Sequence, residues 1–593
     1  MLTAHKINIR HHIRQFQANW RSFLYLHPVE KRWVYKQEPE KEVVEKLSRE
    51  ININEFLAKI LVQRGIQTFD EAKEFFRPSL SRLNDPFLML NMDKAVNRLT
   101  DAVFNKEKIL IYGDYDVDGT TSVSLIYLFL KEFSDQLEFY IPDRYTEGYG
   151  ISEKGIDYAI ANKFDLIIAL DCGVRAIERA KQAKNAGIDL IICDHHLPGA
   201  ELPEAYALLD PKQTDCKYPF KELSGCGVGF KLLEGFCQQN TIEKEKLYEL
   251  LDLVAVSIAS DIVPIVDENR ILAFYGLKKL NQSPSAGLKS LIEISGKKNA
   301  FSISDVVFSI GPRINAAGRL THAKESVNLL IGDSTQTDAF ADNLNDRNKE
   351  RREFDQTITA EALEMIAAQN DERKSTVLFK EDWHKGVIGI VASRCIEYYH
   401  RPTIILTESK GMATGSARSV DGFDVHEAIS QCSDLLEQFG GHTHAAGLTL
   451  PLDNVEQFIS RFEEVVSERI LPEQLIPKVE IDTEIPLSAI TFKTYNVMNQ
   501  MAPFGPKNMA PLFGTNNVIV DTNPKVIKDK HIKGFLHAAN STKLFEFIGF
   551  GMADKMEQIR IGEPFHIAYH LEENNYMGNK SLILNLRDVR FDA

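Results

Sequence analysis

Between residues 106 and 265 four short aliphatic runs alternate with helical stretches. The runs are Lys108–Tyr112, Leu137–Ile141, Asp165–Leu170 and Asp189–Cys193, and the stretches include Ser122–Phe133, Lys154–Asn162 and Ala176–Ala186. This alternation predicts a parallel sheet with helices on both faces. In such sheets ligands bind outside the carboxyl ends of the strands. The chain places its acids there: Asp114-Tyr115-Asp116-Val117-Asp118 after the first run, Asp171-Cys172-Gly173 after the third, Asp194-His195-His196 after the fourth. Asp261 follows the apolar run Leu250–Ile258. One acid at a strand end is commonplace. Several acids and a histidine pair on one edge predict a metal centre, because like charges that close repel unless a cation sits among them.

Asp114, Asp116 and Asp118 alternate, so in an extended strand they would share a face. A solvated Asp-rich turn capping a helix, or an EF-hand calcium loop, has the same look. The calcium loop needs flanking helices and a Glu at its twelfth position, whereas a strand precedes this motif and Leu125 stands there.

The rest of the chain divides by pattern. Its 593 residues exceed a single core. Residues 1–36 carry seven Lys/Arg and one Glu on a chain of net charge −15. This basic extension is a polyanion-binding arm, a disordered segment read from an upstream start codon, or a transit peptide. Residues 37–105 read as packing helices, one opened by a Thr68/Glu71 capping box. Residues 106–332 form the first α/β domain. From Asp333 to Lys385 there is no Gly or Pro, and 333–370 read as one long connecting helix. Residues 371–474 form a second α/β domain, and 475–593, rich in short strands, an OB-like β-barrel. Seven cysteines without a CxxC pair fit a reducing, cytoplasmic setting. No apolar run is long enough for a membrane span.

Several stretches suit a polyanion. Gly311-Pro312-Arg313-Ile314-Asn315-Ala316-Ala317-Gly318-Arg319 sets arginines and Asn315 among small residues that admit close approach, although a tight inter-helix turn also explains the small residues. Gly386–Arg394 opens a helix whose free N–H groups suit an anion. Gly415-Ser416-Ala417-Arg418 offers a hydroxyl and a guanidinium, and the glycine-rich Gly440–Gly447, with Gly441 and His442, is expected to be a phosphate-approaching loop. In the barrel, Lys525, Lys528, Lys530 and Lys533 share a hairpin with Phe535, Phe545 and Phe547 nearby. Lysines that track a backbone and aromatics that stack bases hold single strands; core packing is the competing reading for the aromatics. Carboxylates with imidazoles suit Mn²⁺ or Mg²⁺. Two such ions activate water and clamp a phosphoryl centre, which predicts hydrolysis of a phosphodiester or a pyrophosphate.

The motifs Asp116-x-Asp118-Gly119, Asp171-Cys172-Gly173, Asp194-His195-His196 and Ala259-Ser260-Asp261, in this order, resemble the DHH phosphoesterase superfamily. Gly440-Gly441-His442-x-x-Ala445-Ala446-Gly447 resembles its associated second domain. Arg313–Arg319 and Met501-Ala502-Pro503-Phe504-Gly505 are similar to the superfamily's bacterial single-strand-specific 5′→3′ exonucleases. The resemblance runs from about residue 31 to the end. It implies metal ligation by Asp114, Asp116, Asp118, Asp171 (bridging two ions), His195 and Asp261. Asp118 and Asp171 would also serve catalysis, and His196 would meet the scissile phosphate or assist proton transfer. Arg313, Asn315 and Arg319 would hold DNA, and Arg144, Ser416 and Arg418 a terminal 5′ phosphate or adjacent backbone, with Gly441 and His442 facing the same cleft. The long helix would leave a channel for a single strand but not a duplex. The resemblance further implies a monomer acting in repair and recombination, with a single-strand-binding protein and a helicase as partners. Rival expectations are a small-substrate DHH phosphoesterase, which needs only the two α/β domains, and a non-catalytic replication scaffold, which typically loses ligands.

Overall fold

The structure is a computed structural model that describes residues 30–333, 335–369, 372–576 and 578–591. Most of the basic N-terminal cluster lies outside the described residues. The chain forms two compact units: Thr68–Arg351 with Gln500–Ala510 make one, and the remaining described residues make the other. The helix Thr337–Ala367 carries the chain from the first to the second.

The first unit is built on a five-stranded parallel sheet in the order Leu137–Tyr140, Ile109–Gly113, Leu166–Leu170, Asp189–Cys193, Ala207–Leu209. The central strands Ile109–Gly113 and Leu166–Leu170 are buried throughout, as helices on both faces of a parallel sheet require. The strand Ala207–Leu209 was not expected; three residues are too few for a pattern to show. Register matters most here. Gly113 pairs with Leu170 and Leu170 with Cys193. The next residues, Asp114, Asp171 and Asp194, therefore leave adjacent strands at one level. The helices Val117–Leu130, Gly225–Gln239 and Leu251–Ser260 pack against one another with nearly every residue buried, which is why the last reads as apolar all round.

One stretch crosses the expected boundaries. Residues 500–510, assigned by pattern to the C-terminal domain, belong to the first unit. The Ile265 amide donates to the Pro506 carbonyl at 2.8 Å, and the Arg270 guanidinium donates to Met501 O at 2.8 Å. A Cβ on Gly505 would lie 2.5 Å from Ile265 Cγ1. This segment backs the loop that follows Asp261.

In the second unit Arg32–Tyr35 is a strand, parallel to Lys478–Ile481, so the described end of the basic stretch is an ordered sheet element. A five-stranded sheet runs Gln438–His442, Ala445–Pro451, Met412–Arg418, Thr403–Ser409, Thr376–Phe379. The C-terminal strands form a seven-stranded sheet whose additional pairing, Val518 with Ala538, closes it into a barrel. Among the described residues no helix is long and apolar enough to cross a membrane.

Candidate metal centre

The first acidic cluster converges by a different route from the one its alternation predicts. The strand stops at Gly113, and Asp116 is the N-cap of the helix Val117–Leu130, its Oδ1 accepting from the Gly119 amide at 3.0 Å. Asp118 already lies in the first helical turn. A capping carboxylate competes with strand extension for the backbone N–H groups and wins. The helix thus begins five residues before the expected Ser122. The turn is tight: a Cβ on Gly119 would sit 2.3 Å from Asp114 O.

Asp118 is buried and fully engaged. Its Oδ2 accepts from Gly225 N at 2.7 Å, and its Oδ1 from Cys226 N at 2.8 Å and Ser257 Oγ at 2.7 Å. The N-terminus of the helix Gly225–Gln239 and the middle of Leu251–Ser260 therefore fix this carboxylate. Ser257 was not singled out in the sequence, being one hydroxyl in an apolar run. Outer partners of this kind orient metal ligands and typically change metal affinity 10–100-fold. Ser257→Ala is accordingly expected to weaken Mn²⁺ binding about tenfold with little change in melting temperature, as read by titration of free Mn²⁺; unaltered affinity would contradict this role.

The other strand ends close the site. Asp171, in a left-handed backbone conformation (φ 58°), sets Oδ1 3.2 Å from His195 Nε2. The same nitrogen lies 3.6 Å from Asp261 Oδ2 and 3.8 Å from Asp118 Oδ2. Both ring nitrogens of His195 and Asp114 Oδ1 are buried without a hydrogen bond. Three overlapping sets bring ligand atoms within 4.8 Å of one another: Asp114, Asp116 and Asp171; Asp118, His195 and Asp261; Asp171, His195 and His196. Buried carboxylates, imidazole nitrogens without a hydrogen bond and hard-oxygen donors fit divalent metal ions. The rival turn and calcium-loop readings do not account for this assembly of strand ends.

Asp194, an unassigned member of its motif in the sequence, holds the histidines. Its Oδ1 accepts from the His195 and His196 amides and lies 2.8 Å from His196 Nδ1, and its Oδ2 accepts from Val174 N. Burial opposes its ionisation, yet His196 and the amides hold its carboxyl down to about 2. Despite burial, the Asp194 contact raises the His196 pKa. Tyr149 also escaped notice in the sequence: its hydroxyl lies 3.2 Å from Asp171 O and from either ring nitrogen of His196.

Burial, then neighbouring carboxylates, pushes Asp114 and Asp171 well up and Asp261 to about 9. Acids raised in the fold contribute stability that is present below their unfolded pKa and lost as pH rises through the folded value. Asp194 has the opposite sign, contributing above about pH 4 and failing as pH falls toward 2. Metal binding must displace the protons of the raised acids. The gain in melting temperature from Mn²⁺ is therefore expected to grow between about pH 5 and 8; a pH-independent gain in thermal melts would contradict the assignment.

The helix Gly311–Leu320 lies against this centre at both ends. A Cβ on Gly311 would be 2.9 Å from Ser260 Oγ, and one on Gly318 2.7 Å from Tyr115 O. These small residues thus serve close packing of the helix on its neighbours, so they are not by themselves a mark of ligand contact. Arg313 donates to Ser309 O at 2.6 Å and to Asn345 Oδ1 at 3.2 Å. Asn315 and Arg319 are half-buried on the same helix. The Arg144 guanidinium stands 4.8 Å from the Tyr115 ring centre, beside Asp114 and Asp116.

In the second unit, Gly440–Gly447 is a β-hairpin and not a loop, because its two halves pair antiparallel. Register sets His442 opposite Ala445 and Ala445 opposite Arg418, so His442 and Arg418 flank one residue on the same face. A Cβ on Gly389, in the first turn of the helix Ile388–Tyr399, would meet Ser416 Oγ at 2.8 Å and Arg418 Nη2 at 3.0 Å. Hydroxyl, guanidinium and helix N-terminus thus converge. Gly441 is exposed, and a Cβ there would strike Ala445 O at 2.3 Å. In the barrel, Phe545 and Phe547 are core and only Phe535 of the three is exposed, at 50%. Lys533 pairs with Glu546 at 2.7 Å.

A parallel sheet whose strand ends gather acids and a histidine pair, followed by a second α/β domain, defines a metal-dependent phosphoesterase of the DHH class. The model described as "DHH family, N-terminal domain" matches residues 108–258, the DHHA1 domain 372–468 and the RecJ OB domain 481–588. The chain belongs to the RecJ family, whose members are named single-stranded-DNA-specific exonucleases. It is 38% identical to RecJ of Bacillus subtilis strain 168 over 558 residues, covering 93% of this chain and 70% of that protein. It is 32% identical to RecJ of Salmonella typhimurium, covering 90% and 95%. The fold matches that of RecJ in complex with Mn²⁺ from Thermus thermophilus, with a TM-score of 0.82 at 24% identity over 95% of this chain and 80% of that one.

Proposed function

We infer that this protein is a divalent-metal-dependent exonuclease that degrades single-stranded DNA in the 5′→3′ direction and serves repair and recombination. The observation that carries the reading is the meeting of Asp114, Asp116, Asp118, Asp171, His195 and Asp261 at one sheet edge, in a chain that adds an OB barrel to the two α/β domains. Those six residues would hold two ions, Mn²⁺ or Mg²⁺, which supply an activated water and charge neutralisation at the phosphoryl group. Asp171 belongs to two of the three ligand sets, which suits a bridging role. His196, whose pKa the Asp194 contact raises, would donate a hydrogen bond to the scissile phosphate or a proton to the departing oxygen. Arg144, beside the Tyr115 ring, and Arg313, Asn315 and Arg319, on the helix whose glycines abut Ser260 and Tyr115, would hold the strand's backbone. Ser416, Arg418 and His442, beside Gly441, offer donors for a phosphate, which suits a strand's 5′ end. The barrel lysines and Phe535 would bind the strand further along. A monomer working in the cytoplasm with a single-strand-binding protein and a helicase completes the reading.

The test is digestion of single strands protected at either the 5′ or the 3′ end, in Mn²⁺ and in Mg²⁺, with chelated protein as control. Degradation of 3′-protected but not 5′-protected strands is expected. Activity confined to dinucleotides or pyrophosphate, or unaffected by chelation, would overturn the reading.

A further inference from the structure

The residue after Asp261 is in a conformation that folding does not explain. Ile262 has φ 60°, a region β-branched residues rarely enter because Cβ crowds the backbone. It follows the C-cap of the helix Leu251–Ser260, where glycine is the usual occupant of this conformation. Nor does packing offset the strain, because Ile262 is 62% exposed while the following Val263 and Ile265 are buried. Strain of this kind persists where the surrounding structure enforces it, and it clusters at functional sites.

A second exposed apolar group leaves the same junction. Phe308, at 80% exposure, is the most exposed large hydrophobic residue among those described. It sits in a π-helical turn, Val306–Ile310, whose end residues Val306 and Ile310 are buried. Such turns recur at functional sites. This one runs directly into Gly311, which abuts Ser260, the neighbour of Asp261. Arg313 folds back onto the carbonyl of Ser309, adjacent to Phe308. A cationic and an exposed aromatic side chain a few residues apart are the residue types that hold a nucleotide by its phosphate and its base.

We propose that Ile262 and Phe308 are nucleoside contacts of this site, packing against the sugar and base of nucleotides near the scissile phosphate and favouring a nucleic-acid strand over a small phosphate ester. The carboxylate cluster can recognise only the phosphoryl group and its ions; these two side chains would read what is attached to it. The proposal rests on the nuclease reading above.

The test measures kcat/KM on a thymidine single strand and on the same strand with abasic sites, together with melting temperature and Mn²⁺ affinity. Ile262→Gly is expected to raise the melting temperature, since glycine relieves the strain, and to lower kcat/KM on the thymidine strand about tenfold, with Mn²⁺ affinity unchanged. Phe308→Ala is expected to lose about tenfold on the thymidine strand, within the range of one stacked base, and to match wild type on the abasic strand, while Phe308→Trp restores activity. A lower melting temperature in Ile262→Gly would make that residue structural, and unchanged kcat/KM in both variants would overturn the proposal. An equal loss of Phe308→Ala on both strands would exclude base contact. A Phe308→Ala variant like wild type on both would point that ring at a protein partner. If wild type itself degrades no single strand, the nuclease reading falls first and this proposal with it.

Discussion

Asp116→Asn is expected to lower metal-dependent strand hydrolysis by at least about a thousandfold while leaving the fold as stable as wild type. The separation of the two effects follows from the residue's double position. Asp116 caps the helix Val117–Leu130 through Oδ1 and contributes a carboxylate oxygen to the ligand set with Asp114 and Asp171. Asparagine caps helices about as well as aspartate, so the helix start survives. The lost charge removes part of a metal site that supplies several kcal/mol of transition-state stabilisation, and each 1.36 kcal/mol is a factor of ten. Asp116→Ala should show the same loss of activity with an added cost of about 1 kcal/mol from the missing cap. Exonuclease assays in Mn²⁺ beside thermal melts decide it: full activity in the asparagine variant would refute the metal assignment.

Gly225→Ala is the second large effect, and it inverts the usual sign of its class. In an ordinary helix, alanine for glycine stabilises by about 1 kcal/mol. Here the added Cβ would stand 2.6 Å from Asp171 Cβ and 2.8 Å from its Oδ1. Asp171 is itself pinned in a left-handed conformation and cannot withdraw without moving its carboxylate. The Gly225 amide also donates to Asp118, so two carboxylates shift together. A misplacement near 1 Å can cost about a hundredfold in rate, and a loss of at least that size is expected. Gly227→Ala is the control: its Cβ would meet nothing nearer than 3.4 Å, and near-wild-type activity is expected. Equal behaviour of the two variants in the strand-hydrolysis assay would remove the steric argument.

Parts of this architecture were legible from local pattern. The buried strands announced themselves because a strand covered on both faces must be aliphatic throughout, and Asp189–Cys193 runs as expected; Lys478–Ile481, whose burial alternates, also keeps its expected bounds. The Thr68/Glu71 capping box forms as its spacing predicts. Other features depended on partners distant in the chain. Ser257 carries no signal of its own and matters only because a helix packs it onto Asp118. Met501–Gly505 stood out as a motif, but nothing local shows that residues 500–510 join the first unit, where Pro506 and Met501 bond to Ile265 and Arg270. The small residues of Gly311–Gly318 suited either close approach to a ligand or a tight turn, and the neighbours of the two glycines are Ser260 and Tyr115. For Phe545 and Phe547 stacking and core packing competed, and barrel closure decides for the core.

By itself the sequence determined the alternation of strand and helix, the placing of acids at strand ends and hence the demand for a cation, because these follow from side-chain periodicity and like-charge repulsion within short stretches. Tertiary structure decided how the acids meet. The level register of Gly113, Leu170 and Cys193, the helix N-terminus that fixes Asp118, and the carboxylates gathered around His195 Nε2 all arise between segments far apart in the chain, where only packing sets distance and direction.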